Sequence, residues 1–266
     1  MTTSEVPRIQ FATTEDGVRI AYAVVGAGEP LVCLPGWVGH LELEWQGEPS
    51  GPFYQWLARS HRLVRYDGRG TGLSDRAVDD LSLEARLRDL EAVVHQLQLE
   101  RFTIFAWSQG TPAAMVYAAE HPERVKNLIL YAPFCEGFQA DLKLAKALVD
   151  LIRAEWGVGA RTTMGFIHPD ADREEERYGL SYLRASSSGD IAARILEEGF
   201  FHTNVRDYLP RITAPTLVLH RRDDNAVPLE FGRRVASLLP NARFLPLEGD
   251  HHLPFQGDAA SVLRAI

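Results

Sequence analysis

An α/β architecture built on a mostly parallel, eight-stranded sheet is the fold class this sequence predicts, and three observations predict it. Eight short runs rich in β-branched and aromatic residues lie along the chain, and after the first two they alternate with helical stretches. The first two are joined by an Asp-Gly turn, which puts one antiparallel hairpin ahead of the alternation. Residues 134–208 then carry helical charge patterning and no convincing strand, so they read as a helical insertion.

The elements follow in order. Ile9 to Phe11 and Val18 to Val25 flank Glu15-Asp16-Gly17, where glycine supplies the positive φ of a hairpin turn. Leu31 to Leu34, Leu63 to Tyr66, Phe102 to Trp107, Leu128 to Tyr131, Thr216 to Leu219 and Phe244 to Leu247 are continuous apolar runs, as expected of parallel strands covered on both faces. Residues 83–97 form the clearest helix: Ser82 can cap it, and Leu83, Leu87, Leu90, Val94 and Leu97 recur at spacings of three and four. A second helix should run from Gln109 to Glu120 before His121-Pro122, a third from Leu229 to Leu239 before Pro240, and a last one reaches Ile266. The predicted division is a core of residues 1–133 and 209–266 and a helical cap of residues 134–208, whose aromatics Phe134, Phe138, Trp156, Phe166, Tyr178, Tyr182, Phe200, Phe201 and Tyr208 are candidates to line an apolar pocket.

Composition narrows the function. A chain of 266 residues with 45% hydrophobic and 24% charged residues is ordinary for one globular domain, and its net charge of -8 with no basic run repels phosphate backbones, so nucleic acid is not an expected partner. The first thirty residues are interrupted by Glu5, Arg8, Glu15, Asp16 and Arg19, which excludes a signal peptide or membrane helix there. With only Cys33 and Cys135, no disulfide framework is expected; a cytoplasmic protein without membrane association is.

Ala106-Trp107-Ser108-Gln109-Gly110 follows an apolar strand and precedes a helix, the setting of a nucleophile held on a sharp turn. Such a turn leaves no room for side chains two positions away on either side, and positions 106 and 110 are small. The pentapeptide alone would arise by chance in about one chain in five of this length, so its partners must carry the argument. The strand ending at His220 leads into Arg221-Arg222-Asp223-Asp224-Asn225-Ala226-Val227-Pro228, and the strand ending at Leu247 into Glu248-Gly249-Asp250-His251-His252-Leu253-Pro254. Asp224, three residues before Val227, is the expected acid, and His252, just before Leu-Pro, the expected base in preference to His251. A serine hydroxyl is a poor nucleophile at neutral pH and needs that base to take its proton. The N–H groups of Gln109 and of Trp37, after Leu34-Pro35-Gly36, are candidate oxyanion donors. Trp107, Phe134 and Phe138 are candidate substrate-binding residues.

The order Ser, Asp, His on strand-end loops resembles the α/β-hydrolase superfamily along nearly the whole chain. Arg65-Tyr66-Asp67-Gly68-Arg69-Gly70-Thr71-Gly72-Leu73-Ser74 looks like that family's turn after its fourth strand, and His121-Pro122-Glu123-Arg124-Val125 like its helix-to-strand link. Residues 35–43 and 249–254 are similar to hydrolase-like regions that some bacteria fuse to nucleotide cyclases or DNA-binding output domains. That likeness leaves open whether this chain is one part of a longer polypeptide. Pro35 stands where relatives often carry histidine, and Ala106 where they carry glycine. The resemblance implies a carboxylesterase-like serine hydrolase acting on a small to medium apolar ester, thioester or lactone. Carbon-carbon cleavage and perhydrolysis lie within the same class, and a ligand-sensing module with little turnover is the alternative outside it.

No cofactor is expected. Gly68-Arg69-Gly70-Thr71-Gly72 lacks the Lys-Ser/Thr of a phosphate loop, and the nine histidines show no zinc spacing with cysteines or carboxylates. Asp172 to Glu176 reads as a solvated helix face. A small-molecule acyl substrate is the expected partner; the sequence leaves the oligomeric state open, a homodimer included.

Overall fold

The computed structural model describes residues 7–137 and 142–266. Its centre is an eight-stranded sheet in the order β1-β2-β4-β3-β5-β6-β7-β8, comprising β1 (Gln10–Thr13), β2 (Arg19–Val25), β3 (Glu29–Leu34), β4 (His61–Tyr66), β5 (Phe102–Trp107), β6 (Val125–Tyr131), β7 (Thr216–Arg221) and β8 (Ala242–Leu247). β2 runs antiparallel to β1 and β4, and every other pairing is parallel. The hairpin turns where Asp-Gly predicts it, with Gly17 at φ 85° and its N–H donating to Thr14 O at 2.9 Å.

Strand alternation explains the continuous apolar runs. Val32 and Leu34 of β3 and Ile104 and Ala106 of β5 join one core with α3 (Leu83–Gln96), α4 (Thr111–Glu120) and Val235 of α9 (Leu229–Leu238). Leu31, Cys33, Phe105 and Trp107, one residue out of phase, join the opposite core with Phe53, Tyr54 and Leu57 of α2 (Ser50–Leu57) and Val262 of α10 (Ala259–Ala265). Both faces of the sheet are therefore covered, which parallel pairing requires. Ser82 caps α3 by accepting from Ala85 N at 3.2 Å. Burial pushes the Cys33 thiol up to about 12, so it is an inert core group.

The glycine-rich turn after β4 is internal scaffolding. Arg69 is buried and pairs with Asp89 at 2.8 Å and Asp16 at 2.8 Å, tying the turn to α3 and to the first hairpin. Gly72 has φ 50°, and a Cβ there would lie 2.1 Å from Asp67 Oδ2, which itself accepts the Leu73 N–H at 2.8 Å. Only glycine fits both constraints.

Between β6 and β7 the described chain is helical: α5 (Leu142–Ala154), α6 (Trp156–Ile167), α7 (Arg173–Ser186) and α8 (Gly189–Glu197). Val149 and Ile152 of α5 pack on Ala192, Ala193 and Leu196 of α8, and this small core rests on Trp37 and Val38 of the loop after β3. Asp172 and Glu175 form a reciprocal capping box at the start of α7, so part of the acidic run has a structural task. Two short helices, α1 (Leu41–Gln46) and α2, are additions to the sequence reading, and α4 begins at Thr111 after a 3₁₀ turn over Ser108–Gly110 rather than directly at Gln109. No helix of the described residues is long and apolar enough to cross a membrane.

Candidate active site

Ser108 lies at the carboxyl end of β5 in a left-handed conformation, φ 49°, which costs a non-glycine residue about 1–2 kcal/mol. The surrounding packing enforces it. Ala106 is fully buried, and a Cβ on Gly110 would come within 2.5 Å of Pro35 O, so the start of α4 rests directly on the loop after β3. Thr111 secures the turn by donating its hydroxyl to Ser108 O at 2.7 Å.

The three predicted side chains meet. His252 Nε2 is 2.8 Å from Ser108 Oγ, and His252 Nδ1 is 2.9 Å from Asp224 Oδ2. An ionised carboxylate only accepts, so Nδ1 must carry the ring proton; Nε2 then accepts, and the Ser108 hydroxyl donates to it. All three residues are buried, which strengthens each interaction. Asp224 Oδ1 also accepts the N–H groups of Ala226 and Val227 at 2.9 Å each. Burial alone would raise Asp224, but its interaction and hydrogen bond with His252 and the Val227 N–H outweigh it and hold the carboxyl below its ordinary range. The acid is ionised at neutral pH.

Further residues position this trio and were not legible as a motif. Arg221, buried at the end of β7, donates to Glu248 O at 2.7 Å, to Gln256 O at 2.8 Å and to Tyr131 Oη at 3.0 Å, while the Tyr131 hydroxyl donates to His251 O at 3.1 Å. One guanidinium thus pins both ends of the histidine loop. His220, fully buried behind Asp224, places Nε2 2.7 Å from Val227 O, and burial lowers its pKa. Neutral His220 therefore donates Nε2–H to that carbonyl.

Ser108 and His252 open into a cavity of about 610 Å³ with mostly apolar walls. Trp37, Gln109, Trp107 and Phe134 line it, as do Phe166, Tyr178, Tyr182 and Phe200 of the inserted segment. Trp156 instead packs edge-on against Trp37 at 5.8 Å, Phe201 is exposed, and Tyr208 joins the main core; Phe138 lies outside the described residues. The Trp37 ring also donates to Ala192 O at 2.8 Å, which couples the loop after β3 to α8.

One side of the cavity is polar. Glu44 of α1 accepts from Tyr182 Oη at 2.6 Å and Tyr54 Oη at 3.1 Å and pairs with buried Arg65. Beneath it burial raises Asp67 to about 7, against the pull of the Leu73 and Leu41 N–H groups. The sequence held no signal for this cluster, because its members come from α1, α2, β4 and α7. Glu44, Glu48, Glu174 and Glu175 line the cavity, and no lysine or arginine does so among the described residues.

A serine on a strand-to-helix turn, backed by histidine and aspartate from later strand-end loops of a mostly parallel sheet, defines the class of α/β hydrolases. The chain belongs to the alpha/beta hydrolase fold family, whose model matches residues 29–167, more than half of its length, and is a hydrolase of that fold. It is 26% identical over 268 residues to the AB hydrolase superfamily protein YisY of Bacillus subtilis (strain 168), covering 96% of this chain and 97% of that one. It is 29% identical over 265 residues to a 2-hydroxy-6-oxononadienedioate/2-hydroxy-6-oxononatrienedioate hydrolase of Cupriavidus pinatubonensis, covering 90% of this chain and 87% of the relative. Among solved structures it is similar in fold to the esterase RhEst1 from Rhodococcus sp. ECU1013, with a TM-score of 0.82, 23% identity and 96% of each chain covered.

Proposed function

We propose that this protein is a serine hydrolase that cleaves small to medium, apolar carboxylic esters, or the related thioesters and lactones, through an acyl-enzyme. The observation that carries the reading is the continuous hydrogen-bonded relay from Ser108 through His252 to Asp224, opening into an apolar cavity. In the first half-reaction Ser108 Oγ bonds to the carbonyl carbon as His252 Nε2 takes its proton, and the carbonyl π pair moves onto oxygen. The Trp37 and Gln109 N–H groups are assigned to that oxyanion, where one such donor is worth about 2.7–4 kcal/mol of barrier. Collapse expels the alcohol, protonated by His252, and water then repeats the sequence on the acyl-enzyme. Asp224 keeps the ring in the acceptor tautomer and stabilises the imidazolium. The helices inserted between β6 and β7 act as a lid over the acyl group.

The lining sets the charge of the substrate. Glu48, Glu174 and Glu175, with no lysine or arginine among the described lining residues, disfavour an acyl chain ending in carboxylate, whereas the charge of Glu44 is offset by Arg65. The Cupriavidus relative is named for a doubly ionised substrate, so charge argues for a neutral ester here instead. Initial rates with p-nitrophenyl hexanoate and with its analogue carrying a terminal carboxylate test both parts. We expect turnover of the neutral ester and a kcat/KM at least about tenfold lower for the charged one, which corresponds to about 1.4 kcal/mol. Equal rates would remove the charge argument, and no turnover of either ester would remove the esterase reading.

A further inference from the structure

From the meeting of His168, Asp170 and His251 we infer a binding site for a divalent transition-metal cation of the zinc type, which clamps the inserted helices to the loop that carries His252. His168 and Asp170 stand between α6 and α7, and His251 adjoins His252, so the three are brought together only by folding. Their potential ligand atoms all lie within 4.8 Å of one another. His251 Nε2 is 3.0 Å from Asp170 Oδ1 and His168 Nε2 is 3.5 Å from the same oxygen. Two ligand atoms of a tetrahedral zinc site with bonds of 2.0–2.1 Å stand about 3.4 Å apart. These two separations bracket that value and the third pair of ligand atoms lies within 4.8 Å, so closing on an ion draws in the longest side of the triangle.

Both rings are oriented in the manner of metal ligands, through their other nitrogen. His251 Nδ1 lies 3.2 Å from Asp250 Oδ1, which leaves Nε2 as the nitrogen that faces Asp170. His168 Nδ1 lies 3.0 Å from the Gln256 side-chain amide, whose oxygen is buried without a hydrogen-bond partner among the described residues. Turned about its last bond, that amide presents the oxygen to His168 Nδ1–H. A second observation points to a cation: both His251 nitrogens face carboxylate oxygens. The Asp170 and Asp250 carboxylates on either side of the ring make its surroundings anionic, a setting that suits a metal ion seated between Nε2 and Asp170. Two imidazoles and one carboxylate form a three-ligand set with an open position, which water or Glu175, 4.0 Å from His168 Nε2, can complete.

The consequence lies in where the ligands are attached. Ile167, next to His168, accepts the His252 N–H through its carbonyl at 3.3 Å, a long bond that joins the inserted segment to the histidine loop beside the His168–Gln256 contact. The ion would bridge the same two segments far more strongly, and His168 and Glu175 both line the cavity. Metal occupancy would therefore hold that rim closed.

Calorimetric titration of the metal-free full chain with zinc chloride at pH 7.5, paired with cobalt(II) absorption spectra, tests this. We expect one equivalent of zinc per chain, a tetrahedral cobalt spectrum, and the loss of both in His168→Ala and in His251→Ala. Asp170→Ala, altered at a side chain 66% exposed to solvent, should weaken uptake at least about tenfold and keeps the test valid if a histidine variant unfolds. Zinc should slow amide exchange over residues 167–171 and 250–253 in the wild type and not in His168→Ala. Ser108→Ala should bind zinc like the wild type, so the outcome is separable from the reading of Ser108. Absence of stoichiometric uptake, or uptake unchanged in all three variants, overturns the inference.

Discussion

Ser108→Ala should lower kcat for p-nitrophenyl esters by about four orders of magnitude or more while leaving the fold intact. Alanine removes one oxygen from the relay and keeps the backbone, so the turn over Ser108–Gly110 retains its left-handed residue and its Thr111 anchor. Far-ultraviolet circular dichroism should match the wild type, and the urea midpoint should fall by no more than the loss of one hydrogen bond explains, about 0.5–1.5 kcal/mol. KM should change little, because binding resides in the apolar walls. A variant that keeps even a tenth of the activity would mean that the esters are cleaved elsewhere.

Asp224→Asn is expected to cost nearly as much, about 10⁴-fold in kcat, and for a reason visible in the acceptor pattern. Oδ1 is held by the Ala226 and Val227 N–H groups, whereas Oδ2 faces His252 Nδ1. In the asparagine variant the amide oxygen must take the place served by two N–H donors, which turns the amide NH₂ toward Nδ1. The ring then shifts its proton to Nε2, and the lone pair that should receive the Ser108 proton disappears. Nitrogen-15 spectra of His252 should report that tautomer reversal directly, and substrate affinity should hold. An unchanged tautomer with full activity would show that Asp224 does not orient the base.

Much of this site could be read before folding, because its chemistry sits at strand ends. Apolar runs predicted all eight strands, and the residues just beyond β5, β7 and β8 are Ser108, Asp224 and His252. What could not be read depends on contacts between distant segments. α2 contains Ser50, Gly51 and Pro52, which read as chain breakers, yet it is stabilised by burying Phe53, Tyr54 and Leu57 against the sheet. α6 carries Gly157, Gly159 and Gly165, poor helix formers; at Gly159 a Cβ would lie 2.5 Å from Ile152 Cα, so the glycine is there for close helix packing. Arg221 looks like any strand-end arginine until its three acceptors are seen, and Glu44 like any exposed helix acid until Arg65 is found beneath it. His168 and His251 share no local spacing, so a search for metal motifs in sequence passes over them.

Reaction with a fluorophosphonate, followed by peptide mass mapping, interrogates the central claim most directly. The reagent forms a stable adduct only with a hydroxyl activated by a base in hydrogen-bond reach. We predict a single adduct on the peptide containing Ser108, formed within minutes on the wild type and undetectable on His252→Ala. An adduct on any other residue, or none on a folded protein that turns over esters, would contradict the account.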